Sequence, residues 1–157
     1  MSETIESRYD AFRASLPSSV DIETAKERLL KQHVETPSWG YGAMGTRFYT
    51  LNKPGAPRDI FEKFDDAAQV QKYTGIARSV AIHIPWDKVD DYSRLIEHSK
   101  KVGVDIGAVN ANLFQEDDYV YGSFCHHKPE VRERALAHAQ ECVDIMNETG
   151  SSILTLW

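Results

Sequence analysis

Ser79-Val80-Ala81-Ile82-His83-Ile84-Pro85 and Asp105-Ile106-Gly107-Ala108-Val109-Asn110-Ala111-Asn112 bracket the stretch that decides the fold. The first run is β-branched, alternates in residue size, and stops at a proline, which identifies a strand. The second reads as another strand. Between them Val89, Tyr92, Leu95, Ile96 and Val102 recur at helical spacing, and Gly103 closes the helix. Strand, helix and strand within some thirty residues form a βαβ unit, and such units build parallel sheets.

Working outward, the same alternation continues. Upstream, Ile60, Phe61, Phe64, Ala68 and Tyr73 outline a helix over 59–74, with Gly75 suited to the left-handed position that ends it. A long loop from Gly45 to Pro57 precedes it, and residues 34–39 read as a first strand that contains Pro37. Two helices come first: Ile5, Tyr9, Phe12 and Leu16 mark one that Pro17 stops, and Asp21 caps a second running to about His33. Downstream, a loop over 113–128 leads to a helix opened by Pro129, with Val131, Ala135, Leu136, Ala139, Cys142, Val143 and Met146 on its apolar face and Gly150 at its end. Residues 152–157 read as a fourth strand. The order is αα-β-α-β-α-β-α-β: a helical extension over 1–33, then about four β/α units over 34–157, the last of them ending at its strand. The fourth strand is apolar and no helix follows to cover it. Because a (β/α)₈ barrel needs eight strands and about 250 residues, the pattern is that of an α/β fold, the N-terminal part of a TIM barrel cut after its fourth strand. A complete four-stranded open sheet is the alternative.

Composition narrows the function. The chain has 157 residues with a formal charge of −6, from 18 basic against 24 acidic side chains. That balance argues against nucleic-acid and membrane-surface partners. No apolar run approaches the ~20 residues of a membrane helix. The N-terminal MSETIESRYD lacks the apolar stretch of a secretory leader, so a cytoplasmic location and free thiols at Cys125 and Cys142 are the expectation. No P-loop, dinucleotide fingerprint, nucleophile elbow or C-x-x-C pair is present.

Chemistry is expected at the C-terminal ends of the strands. Alternation along the second strand places Val80, Ile82 and Ile84 on the face toward the helices, and Ala81 and His83 on the face toward the barrel interior. His83 is therefore either a satisfied core histidine or the catalytic group. Trp39, Trp86, Phe114 and Trp157 fall at or just beyond strand ends, as a pocket wall that stacks on the apolar face of a ligand such as a sugar would require. Asn110 and Asn112 share one face of the third strand, either to bind ligand hydroxyls or to tie loops. Asp87 is placed to cap the following helix. Cys125-His126-His127 matches no zinc spacing, and Glu35 and Asp105 lie at strand starts, the end that serves stability.

Pro37-Ser38-Trp39-Gly40, Gly45-Thr46-Arg47-Phe48, His83-Ile84-Pro85-Trp86-Asp87-Lys88 and Asn110-Ala111-Asn112-Leu113-Phe114 occur in this order. With Arg58-Asp59-Ile60-Phe61-Glu62-Lys63-Phe64-Asp65-Asp66 and Leu154-Thr155-Leu156-Trp157, they make the chain from Val20 onward resemble bacterial L-rhamnose isomerases of the broad-specificity type, which are xylose isomerase-like barrels. The resemblance implies an aldose–ketose isomerase that interconverts L-rhamnose and L-rhamnulose, with rarer sugars such as D-allose also accepted. It implies two divalent metals, commonly manganese, and a homotetramer. Carried over by motif, His83 contacts the substrate at its ring-opening end, Trp39, Trp86, Phe114 and Trp157 form the aromatic wall, and Phe48 reaches a neighbouring subunit's site. The metal ligands of the family lie on later strands, so none is expected in this chain and the fragment alone is expected to be inactive. The competing expectations are another metal-dependent barrel of the superfamily, such as a sugar epimerase or apurinic endonuclease, and a non-catalytic half-barrel that associates with copies of itself.

Overall fold

The computed structural model of the protein describes residues 4–16, 21–43, 51 and 53–156. The Gly45-Thr46-Arg47-Phe48 motif, and with it Phe48, lies outside the described residues, as does Trp157. Contacts divide the chain into two units, Met1–Gln32 and His33–Trp157.

The first unit contains α1 (Ile5–Ser15) and α2 (Ile22–Leu30). Both helices are started by side chains that accept otherwise orphaned amide protons: Thr4 Oγ1 from Ser7 N, and Asp21 Oδ1 from Glu23 N and Thr24 N. Neither helix buries a residue.

Among the described residues, the second unit is built on four strands, β1 (Val34–Pro37), β2 (Ala77–Ile84), β3 (Asp105–Ala111) and β4 (Leu154–Leu156). They pair in chain order, every pair parallel. Between them run a helical turn α3 (Ser38–Tyr41), α4 (Ile60–Thr74), α5 (Tyr92–Val102) and α6 (Pro129–Thr149), with a 3₁₀ turn over Asp117–Tyr121. Parallel crossovers are right-handed. A strand order that never reverses therefore keeps the crossover helices α4, α5 and α6 on one side of the sheet, and α4 accordingly packs on α5 and α5 on α6. This is the arrangement of the first half of a (β/α)₈ barrel rather than of a doubly wound sheet.

Sequence periodicity explains which face the helices cover. Val80, Ile82 and Ile84 of β2 join Val109 and Ala111 of β3 in one core with Phe64, Leu95, Val131, Ala135 and Cys142 from the helices. Ser79, Ala81 and His83 stand outside that cluster, on the opposite, interior face. Gly75, Gly103 and Gly150 end α4, α5 and α6 with φ between 71° and 77°, and each lets the chain enter the next strand within a few residues.

At this N-terminal floor of the half-barrel, Glu35 turns inward. Its Oε2 accepts from Ser79 Oγ at 2.8 Å and from Ala108 N at 3.0 Å, and His33 Nε2 lies 2.7 Å from the same Ser79 Oγ. Gly107 makes room for the carboxylate, since a Cβ there would stand 1.5 Å from Glu35 Oε2.

Two local expectations need correction. Residues 34–39 do not form one strand: β1 stops at Pro37, and Ser38–Tyr41 turns helically, so Trp39 sits on that turn. Ser38 is drawn away from the ladder because its hydroxyl donates to Asp87 Oδ2. The helix after β2 begins at Tyr92 and is capped by Asp91, whose Oδ1 accepts from Ser93 N. Asp87 is instead buried at the end of β2.

Candidate functional site

His83 ends the interior face of β2 and is 1% exposed. Three aromatic rings surround it. Trp86 stacks on it face to face, with centroids 3.9 Å apart and planes 16° from parallel. Trp39 and Phe114 meet it edge-on at 5.5 and 5.9 Å. The tight turn after β2 brings Trp86 back over His83, the turn after β1 supplies Trp39, and the loop after β3 supplies Phe114. Four of the six site residues read from sequence thus meet at one rim. The remaining two, Phe48 and Trp157, are outside the described residues.

The environment fixes the charge of His83. Burial pushes its pKa down to about 4; Asp87 works in the opposite direction, while His138 and Lys63 lower it further. The ring is neutral at pH 7, with one nitrogen a donor and the other an acceptor. Among the described residues, neither nitrogen has a hydrogen-bond partner. A buried imidazole with both nitrogens unsatisfied is costly to hold. A hydroxyl, which donates and accepts, is the group that would satisfy it.

Asp87 organises this rim. Its side chain is fully buried, and Oδ2 accepts from the His83 amide at 2.7 Å and from Ser38 Oγ. Oδ1 accepts from Lys63 Nζ at 2.6 Å. The Asp87 amide in turn donates to the His83 carbonyl at 2.8 Å. One carboxylate therefore joins β2, the first residue of α3 next to Trp39, and α4. The signal for this was present in the four-residue spacing of His83 and Asp87, which can close a turn at a strand end. The Lys63 and Ser38 partners are remote in sequence and left no such signal.

A second network holds the outer rim. Gln115 Oε1 accepts from Trp86 Nε1 at 3.0 Å and from Asn112 Nδ2 at 2.9 Å, while Asn112 Oδ1 accepts from Gln115 N at 3.2 Å. Asn110 Nδ2 donates to the Ile82 carbonyl at 2.9 Å. Of the two roles open to these asparagines, these bonds are the tying one. Outside β2 and β3, His138 Nε2 lies 3.1 Å from Ile84 O and 3.2 Å from Asn112 N, and its Nδ1 lies 3.1 Å from Glu141 Oε2.

Cys125-His126-His127 behaves as a loop closure. His126 Nδ1 accepts from Lys128 N at 3.1 Å, and Arg132 Nη1 donates to the carbonyls of His126 and His127 at 2.6 and 3.0 Å. Among the described residues, no three of His, Cys, Asp and Glu gather so as to hold a metal ion. Nor is any helix there long and apolar enough to cross a membrane.

No family model matches the chain. It is 40% identical over 143 residues to a protein of Rhizobium meliloti named a probable sugar isomerase, covering 88% of this chain and 33% of that relative. A protein of Mesorhizobium japonicum with the same descriptive name is 37% identical over 143 residues, again 88% of this chain and 33% of the relative. The chain thus spans about a third of the length of the curated relatives it matches.

Proposed function

We propose that this chain contributes the first half of the barrel, and one wall of the sugar site, of an aldose–ketose isomerase acting on L-rhamnose and, more broadly, on related aldoses such as D-allose. The observation that carries the reading is the buried, neutral imidazole of His83, enclosed by Trp39, Trp86 and Phe114 at the catalytic end of β2. The names of the two relatives point to the same chemistry.

In this reading, aromatic faces cover the apolar face of the sugar and exclude water. His83 takes the proton of the ring hydroxyl on one nitrogen and returns a proton to the ring oxygen from the other, which opens the ring; a neutral imidazole has the donor and the acceptor this exchange needs. Asp87 fixes the backbone that presents His83, and Trp86 covers its face. A divalent metal, manganese by resemblance, belongs to the whole enzyme. The described residues offer no donor set that fits it, and no step is assigned to it. The reading also includes a cytoplasmic homotetramer in which Phe48 serves a neighbouring subunit.

The test joins this chain to the remaining two thirds of the Rhizobium meliloti relative and measures ketose formation from L-rhamnose and D-allose with Mn²⁺. The joined protein should turn over, and the 157-residue chain alone should not. His83→Gln in the joined protein should lower kcat/KM by about 10²-fold, the lower end of general acid–base contributions, because sugar rings also open unaided. A folded, metal-loaded joined protein that converts no aldose would count against the assignment.

A further inference from the structure

Trp86 is 45% exposed, yet its indole stacks on a histidine that is 1% exposed. Solvent is thus kept from one face of His83 by a side chain that itself stands half in water. A half-exposed indole has rotamers that leave this stack, so something must hold it. The bond that does so is from Trp86 Nε1 to Gln115 Oε1, and Gln115 is braced by a reciprocal pair of bonds with Asn112. We propose that Gln115 is a positioning residue, a latch whose amide oxygen keeps the Trp86 indole closed over His83 and so keeps water from the imidazole.

The chemistry of the latch is specific. Among the described residues, both side-chain bonds that Gln115 makes arrive at Oε1, which acts only as an acceptor. A carboxylate oxygen can replace it; a thioether of the same length accepts only weakly. Opening the latch admits water to a ring whose pKa burial has pushed down to about 4. The charged and titratable groups acting on that ring are Asp87 after β2, Lys63 on α4 and His138 on α6, and Gln115→Met alters none of them and adds no charge. The latch itself does not depend on the isomerase reading; its consequence for turnover does.

The experiment compares the parent chain with Gln115→Met and Gln115→Glu. It follows the rate of diethyl pyrocarbonate modification at His83 by peptide mass spectrometry, and the His83 titration by NMR. The expected result is a roughly two- to tenfold faster modification in Gln115→Met, the worth of one ordinary hydrogen bond, with the His83 titration moved up toward its ordinary range. Gln115→Glu should match the parent in modification rate, while its added negative charge raises the His83 titration on its own, so the titration is compared only between the parent and Gln115→Met. In a Trp86→Phe background, which lacks the indole N–H, Gln115→Met should add nothing further. Equal rates in the parent and Gln115→Met overturn the proposal, and so does an equal rise in the Met and Glu variants, which would mark general loosening of the loop. These readouts need no sugar and no activity. A latch that stands while the joined protein fails to isomerise therefore leaves this inference intact and removes the isomerase assignment.

Discussion

His83 ties a protonation state to the stability of the fold. Its ring resists protonation down to about pH 4 in the folded chain, whereas in the unfolded chain it takes a proton near 6.5. Between those values the unfolded state binds the extra proton, so stability falls as pH drops from about 6.5 to 4, and this contribution changes no further below that. The loss is on the order of 1–3 kcal/mol. Denaturant midpoints across pH 4–7.5 should show this decline in the parent and a shallower one in His83→Gln; identical slopes would mean that His83 titrates normally. The position of this residue was legible from strand alternation alone. Its isolation from hydrogen-bond partners was not, because that depends on three rings brought from loops whose paths no local pattern records.

Among the elements, the rim depends on a carboxylate that a local reading assigns to a cap. Asp87 precedes a helix and has a common capping residue type, so the sequence supports that role. The helix starts later because Asp91 takes the cap, and Asp87 is pulled inward by three donors from β2, α3 and α4. Asp87→Ala should cost about 3–5 kcal/mol, since it leaves the nearly buried Lys63 ammonium, 14% exposed, without its counter-charge. Thermal and denaturant unfolding measure this. A cost below about 1 kcal/mol would mean the buried pair is solvated in solution. The elements remote from this hub were readable: the helices ending at Gly75, Gly103 and Gly150 obey a left-handed glycine stop that a single sequence displays. β1 ends two residues before the sequence pattern does because Ser38 follows a tertiary partner 49 positions away rather than its own propensity.

For the molecule as a whole, the strand order 1-2-3-4 was legible because each crossover is a local βαβ unit with a fixed hand. Among the described residues, β4 pairs only with β3, and Ile153 and Leu156 are 55% and 52% exposed. Unpaired edge groups beside exposed aliphatic side chains are a template for another chain. The isolated chain should therefore self-associate, with a sedimentation coefficient that rises with concentration. A single monomeric species at high concentration would sink this expectation. An Ile153→Lys, Leu156→Lys double variant should shift the distribution toward monomer, since charge on an edge strand opposes pairing.

The seat that Gly107 makes for the Glu35 carboxylate has a bearing on inheritance. Two positions far apart in the chain, Glu35 and Gly107, share one small volume, and only one of them can fill it. A relative that gains a side chain at 107 must shorten or redirect the one at 35, and a relative that loses the carboxylate at 35 can accept alanine at 107 once the Ser79 hydroxyl, 3.0 Å from a Cβ there, gives way slightly. The two sites should accordingly drift together across descendants of this fold, as a correlated pair that marks contact rather than catalysis.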